Sequence, residues 1–175
     1  LLLEYKNKSR KKTPKLIRIT TVPLSLKTLL NGQHRFMSKY YQVIGVSSSG
    51  SELFDVAIDE GITVVPIEMT RVISPWQDLK AMWHLFCFFI KENPFIVHTH
   101  TPKAGTIGML AAKLAGVPHR LHTIAGLPLL EATGSKRKLL NLVEKATYRC
   151  ATKIYPNAFG LNDIIIQQKF CSQDK

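Results

Sequence analysis

Scarcity narrows the field first. There are only three cysteines, Cys87, Cys150 and Cys171, widely spaced and without a CxxC pair. That argues against a disulfide framework and fits a reducing cytoplasm. The longest apolar stretch, Leu85 to Ile90, covers six residues, whereas a membrane-spanning helix needs roughly 20. Leu1–Leu3 is too short for the apolar region of a secretory signal, and a basic run follows it. Neither GxGxxG nor GxxxxGK[ST] occurs, which disfavours a dinucleotide fingerprint or a P-loop. Acidic residues are also few. Twelve Asp and Glu oppose 24 Lys and Arg, for a net charge of +12.

Part of that excess sits in residues 1–15, where Lys6, Lys8, Arg10, Lys11, Lys12 and Lys15 oppose only Glu4, a net +5 that leaves +7 for the body. A basic body attracts phosphates of any kind, on nucleic acid, anionic lipid or substrate, and charge alone does not choose among them. At 175 residues, 45% of them hydrophobic, the chain suits one domain and is too short for two ordinary ones.

After Pro14, short apolar runs alternate with longer helical ones. Strands are expected at 16–22, 42–47, 62–67, 95–100, 119–123 and 153–155. Helices are expected at 26–41 (interrupted at Asn31-Gly32), 53–59, 75–92, 103–115, 135–152 and 161–170. Gly61 and Gly116 serve as helix stops, Ser74 and Pro75 as a helix start. Continuously apolar strands alternating with helices imply an α/β fold: a doubly wound parallel sheet, Rossmann-like, with strand order 3-2-1-4-5-6. Ligands in such a fold gather at the carboxyl ends of the strands, beside strands 1 and 4.

Several residues at those ends can do chemistry. Gly32 allows backbone amides to approach a phosphate at a helix start, or is a plain turn glycine. The fourth strand ends in His98-Thr99-His100-Thr101-Pro102-Lys103; the two histidines share a face and Thr99 opposes them. His98 reads as a hydrogen-bonded core residue and His100 as the one nearer the crevice. Lys103 and the following helix start suit an anion. His122 ends the fifth strand beside the loop of Gly126, so that it and His100 are placed to converge on one ligand. No acidic or Cys residue joins these imidazoles, so no metal is expected. Lys136, Arg137 and Lys138 open a helix against its dipole, either solvated or serving a phosphate or lipid surface. The 75–92 helix carries aromatics beyond one stripe, buried under a neighbour or touching a membrane interface.

VHTHTPKAG (97–105), AAKLAGVPHRLHTIAGLP (111–128), KRKLLNLVEKATYRCAT (136–152), YPN (155–157) and LIRITTVPLSLKTLLNGQ (16–33) together resemble the family-4 retaining glycosyltransferases of bacterial capsular and O-antigen synthesis. The resemblance implies a GT-B enzyme of two Rossmann-like domains, this chain being the acceptor-side half over residues 16–171. On that reading 1–15 is a basic tail and 172–175 begins an interdomain linker. The donor-binding half lies outside the chain, and the fragment alone is expected to be inactive. By resemblance, His122 is the catalytic residue near the reacting centre. His100, Thr101, Lys103 and Gly126 contact the acceptor, Asn31 and Gly32 the donor phosphates, and Lys136, Arg137 and Lys138 an anionic membrane surface. The resemblance also implies no cofactor beyond the nucleotide-sugar substrate, and a polyprenyl-diphosphate-linked glycan as acceptor. It implies a cytoplasmic enzyme peripheral to the inner membrane. Two departures stand out: Asn31-Gly32 replaces the paired glycines of many members, and Ala158 follows YPN where a serine is expected. The rival readings are half of a GT-B sugar-nucleotide epimerase, a stand-alone half that pairs with a separate donor-binding chain, and a basic nucleic-acid-binding module. The last lacks any RNP, zinc-finger or helix-turn-helix signature, so no nucleic-acid partner is expected.

Overall fold

The structure, a computed structural model, describes residues 13–168 and 170. Most of the expected basic tail and residues 172–175, expected to begin a linker, fall outside that range. Six strands and seven helices alternate: β1 (Lys15–Ile19), α1 (Pro23–Leu29), α2 (Gln33–Met37), β2 (Gln42–Ser47), α3 (Ser51–Glu60), β3 (Thr63–Pro66), α4 (Pro75–Glu92), β4 (Ile96–Thr99), α5 (Pro102–Leu114), β5 (His119–Ile124), α6 (Gly134–Cys150), β6 (Lys153–Pro156) and α7 (Phe159–Gln167). A short 3-10 turn, Pro128–Leu130, lies between β5 and α6.

Local chemistry accounts for most boundaries. Pro23, Pro75 and Pro102 open α1, α4 and α5, where a fixed φ suits the first turn and the missing N–H costs nothing. The first strand ends at Ile19, earlier than its apolar run suggests. Thr20 then turns its hydroxyl onto Val22 O, and Thr21 pairs with Thr101. Pro66 closes β3 at the sheet edge, where no ladder hydrogen bond is lost. Asn93, with φ of 46°, ends α4 in the left-handed region.

The sheet is wholly parallel in the order β3-β2-β1-β4-β5-β6. Over one face lie α4, α5 and α6, which bury Ile17, Ile19, Val97, Leu85, Phe89, Met109 and Tyr148 in one cluster. Over the other face α1 and α3 enclose Leu16, Leu26, Leu30, Val43, Leu53, Val56 and Ile62. On that second face the packing gives way beyond β1 to a groove of about 480 Å³. Its walls are Arg18, Asn31, Gln33, His98, Leu121 and Tyr155, with apolar neighbours.

Candidate functional site

β1 and β4 run side by side at the point where strand order reverses, with Arg18 in register with His98. Alternation puts His98 and His100 on one face, and their ring centroids are 4.0 Å apart. Arg18 Nε donates to His100 Nε2 at 3.3 Å, and Arg18 Nη2 donates to Gln33 Oε1 at 3.0 Å. His98 Nε2 shares a 2.8 Å hydrogen bond with Thr123 Oγ1. Burial, reinforced by the Arg18 charge, lowers the His98 pKa to about 3. His100 lies further below the histidine range, again by burial, with His98 and Arg18 adding to it. Burial also lowers Arg18 to about 10 while Glu60 pulls it back up. The guanidinium therefore stays charged at neutral pH beside two neutral imidazoles. Accepting from Arg18 leaves the proton of His100 on Nδ1.

His122 is elsewhere. It is in register with Thr99 on the opposite face of the sheet, covered by α5 and 2% exposed. Its Nδ1 lies 2.8 Å from Thr99 Oγ1, and burial lowers its pKa to about 4. His100 and His122 therefore do not converge, because the sheet separates them. The same alternation splits the three imidazoles, and no group of three His, Cys, Asp or Glu residues among those described is placed to hold a metal.

Thr101 caps the strand-end crevice. Its Oγ1 accepts from Thr21 N at 3.0 Å and lies 2.7 Å from Thr21 Oγ1, which ties the β1 end to the start of α5. Lys103 turns away from that crevice. Its ammonium donates to Asp78 Oδ2 at 2.6 Å and to Val72 O at 2.8 Å, which joins α5 to α4 and the loop before it. Gly126 sits half-buried in the loop after β5, with nothing within 4 Å of where a β-carbon would stand.

The turn before α2 is engaged by a carboxylate of the chain itself. Gly32 has φ of 74°, the left-handed conformation the turn requires. Its N–H donates to Glu60 Oε1 at 2.6 Å, and Arg35 N donates to Glu60 Oε2 at 2.9 Å. The amides that a phosphate would seek already hold a carboxylate of the chain itself. Burial pushes the Glu60 pKa up, but these two amides outweigh it and the net shift is downward. Asn31 lines the groove. Lys136, Arg137 and Lys138 are all exposed in the first turn of α6.

Four residues that shape this site were not singled out in the sequence: Arg18, Gln33, Glu60 and Thr123. Arg18 carried a signal, a cation inside the apolar run of a central strand. Glu60 carried none, since a carboxylate before a helix-ending glycine is ordinary until the fold places it under Gly32.

Comparison with known proteins fits this arrangement. Residues 26–158 match the family described as glycosyl transferase 4-like. The capsular polysaccharide biosynthesis glycosyltransferase CapM of Staphylococcus aureus is 38% identical over 165 residues, 94% of this chain and 42% of that protein. A UDP-Gal:alpha-D-GlcNAc-diphosphoundecaprenol alpha-1,3-galactosyltransferase of Escherichia coli is 40% identical over 90 residues, 49% of this chain and 22% of that one. Among solved structures, a glycosyltransferase from Rickettsia africae aligns with a TM-score of 0.67 at 16% identity, covering 94% of this chain and 42% of its own. Sugar-nucleotide epimerases share the same fold, so the sequence match decides between the two. The chain spans less than half the length of the curated relatives it matches. With a family match running from α1 to β6 and a relative similar along nearly the whole chain, this protein belongs to the glycosyl transferase 4-like family.

Proposed function

We propose that this chain is the acceptor-side domain of a GT-B glycosyltransferase that moves a sugar from a nucleotide-sugar onto a polyprenyl-diphosphate-linked glycan. What carries the reading is the 38% identity to a capsular polysaccharide glycosyltransferase along 94% of the chain. The acceptor class is suggested by the diphosphoundecaprenol in the name of the second relative. The strand-end crevice supplies compatible groups: the Thr21–Thr101 pair, the backbone of Gly126, and His100 held neutral by burial. A neutral imidazole can orient a sugar hydroxyl without competing for the anionic leaving group. The nucleotide-sugar would be held by a second domain across the crevice, so the chain alone is expected to be inactive.

His122 acts on this reading from beneath the crevice. Its contact with Thr99 and its seat under α5 make it a positioning residue for the β4 and β5 ends. Donor-phosphate contact at Asn31 and Gly32 requires that Glu60 give up the Gly32 amide. No further cofactor is proposed.

The test is a chimera in which this chain replaces the corresponding residues of the Staphylococcus relative. Transfer from a UDP-sugar to a detergent-dispersed diphosphoprenyl-glycan, retained in the chimera and absent from the chain alone, supports the reading. A well-folded chimera that binds the donor but transfers nothing sinks it.

A further inference from the structure

Arg18 is the one lysine or arginine among the described residues that is buried, at 4% exposure. It stands inside the apolar run of β1, where alternation turns it to the same face as Leu16 and away from Ile17 and Ile19. Lys15, Lys27 and Lys103 each meet a carboxylate, at 2.7, 2.7 and 2.6 Å. Arg18 meets none among the described residues. Its Nε donates to His100 and its Nη2 to Gln33, both neutral, and Nη1 has no acceptor among the described residues. Glu60 is the carboxylate whose charge reaches Arg18, but its two oxygens are taken by the amides of Gly32 and Arg35. Buried cations are ordinarily paired, because taking an isolated charge out of water costs more than a neutral hydrogen bond returns.

The guanidinium stands in the wall of the groove beside β1. At about 480 Å³ this groove is within the size range of small-molecule sites, about 300–1,000 Å³. Asn31, Gln33 and His98 bring amide and imidazole groups to it, and Phe36 and Tyr155 bring rings. Phe36 is 55% exposed and Tyr155 47%, so both present ring area to whatever enters. Polar groups set against flat rings suit a pyranose, which has hydroxyls at its rim and C–H groups on its faces. The charge balance selects the anion. Among the described residues no second lysine or arginine lines the groove, and Glu60 already adds negative charge nearby. A planar monoanionic carboxylate balances one guanidinium and matches its paired N–H groups. A phosphate near −2 would leave negative charge uncompensated in a poorly hydrated place. The groove follows β1 and β4 from Leu16 and Ile96 up to Arg18, which touches His100 at the strand-end crevice.

We infer that the groove beside β1 binds a hexuronic acid residue, its carboxylate on Arg18 and its ring against Phe36 and Tyr155, and hence that the acceptor glycan carries an acidic sugar. The inference rests on the transferase reading for the role of that sugar and names the class of acceptor.

The 175-residue chain would be titrated by NMR with methyl glucuronoside at an ionic strength of about 0.15 M. Saturable shifts of the His98, His100 and Tyr155 ring signals are the expected result. Methyl glucoside and the amide of methyl glucuronoside keep the ring and lose the charge, and both should bind at least roughly tenfold more weakly. Glucose 6-phosphate should also bind more weakly than the glucuronoside. Arg18→Met should abolish saturable binding. Lys113→Met, which removes an exposed charge in the last turn of α5, should bind as wild type. Because Arg18→Met also alters a central strand, Asn31→Leu, an exposed change in the groove wall, is the second variant and should weaken binding several-fold. Equal affinity for the neutral sugars would overturn the inference. So would equal affinity for glucose 6-phosphate, the mark of an unselective cation. A loss in Lys113→Met as large as in Arg18→Met would overturn it too, since net charge would then explain the binding. Absence of saturable shifts with every probe would do the same. None of these readouts involves a donor or transfer, so failure here leaves the chimera test of the transferase reading untouched.

Discussion

A β-carbon on residue 105 would stand 2.3 Å from Cε1 of His122. Gly105 and His122 thus form one lock, in which the helix comes close enough to the strand only because one partner has no side chain. Gly108 repeats the arrangement one turn later, where a β-carbon would be 2.8 Å from Thr99 Cγ2. Both contacts meet the Thr99–His122 hydrogen bond, so α5, β4 and β5 are registered through four residues.

Gly105→Ala should therefore destabilise the domain by about 1–3 kcal/mol, the usual cost of overpacking a core, despite the better helix propensity of alanine. Thermal melts of the wild type and variant would show it. His122→Ala in the Gly105→Ala background should recover part of the loss. If the single variant is as stable as wild type, α5 is not seated as described.

Glu60→Gln should cost about 1–2 kcal/mol, because two backbone amides lose a charged acceptor. The sign with pH follows from the downward shift. The stability due to this carboxylate is present above its unfolded pKa, near 4.5, and disappears as pH falls through its lower folded value. In the variant, amide exchange at Gly32 and Arg35 should quicken more than exchange in β1. Unchanged exchange at both amides would count against the Glu60 anchor.

His34, His98, His100 and His122 are all buried, and in each the folded pKa lies below the ordinary value of 6.5. For His34 the cause is again burial, which lowers it to about 4. The unfolded chain takes up these protons as pH drops below about 6.5, while the folded chain does not. Stability is thus full above that pH and lost from there down through the folded values, about 4 for His34 and His122, about 3 for His98 and lower still for His100. Each site contributes up to about 1.4 kcal/mol per pH unit, so the four together can remove about 5–6 kcal/mol for each unit below about 6.5, comparable with the whole stability of many domains. Denaturant midpoints measured from about pH 7.5 down to about pH 5 should fall steeply. A flat profile would mean the imidazoles are protonated in place.

Arg18→Met removes the cation that helps hold His98 and His100 neutral. Their pKa values should rise, which imidazole proton or nitrogen shifts in an NMR titration would register. The response should be small at His122, whose low value is due to burial behind the sheet. Equal shifts at all three histidines would point to general loosening of the fold.

Much of the fold was legible in the sequence for a specific reason. Pro75, Asn93 and Gly61 act through their own backbone preferences, and runs such as QVIGVS are apolar at every position because both faces of a central strand are buried. The strand order came from alternating elements and the usual order of a doubly wound parallel sheet. The site was less legible. His98 and His100 were rightly paired on one face, since alternation needs only sequence. His122 was set beside them, although its register with Thr99 turns it to the other face. Lys103 and Gly32 were assigned to ligands, yet Asp78 and Glu60, distant in sequence, engage them.

The sequence by itself determined the family, the alternation of six strands with helices and those helix ends marked by Pro75, Asn93 and Gly61, since each depends on residues close along the chain. Only the tertiary structure decided which sheet face each imidazole occupies, which carboxylates satisfy Gly32 and Lys103, and that Arg18 is buried with no carboxylate in ion-pair reach among the described residues. Those outcomes depend on register between strands and on residues 25 to 28 positions apart meeting in space, and no local pattern encodes either.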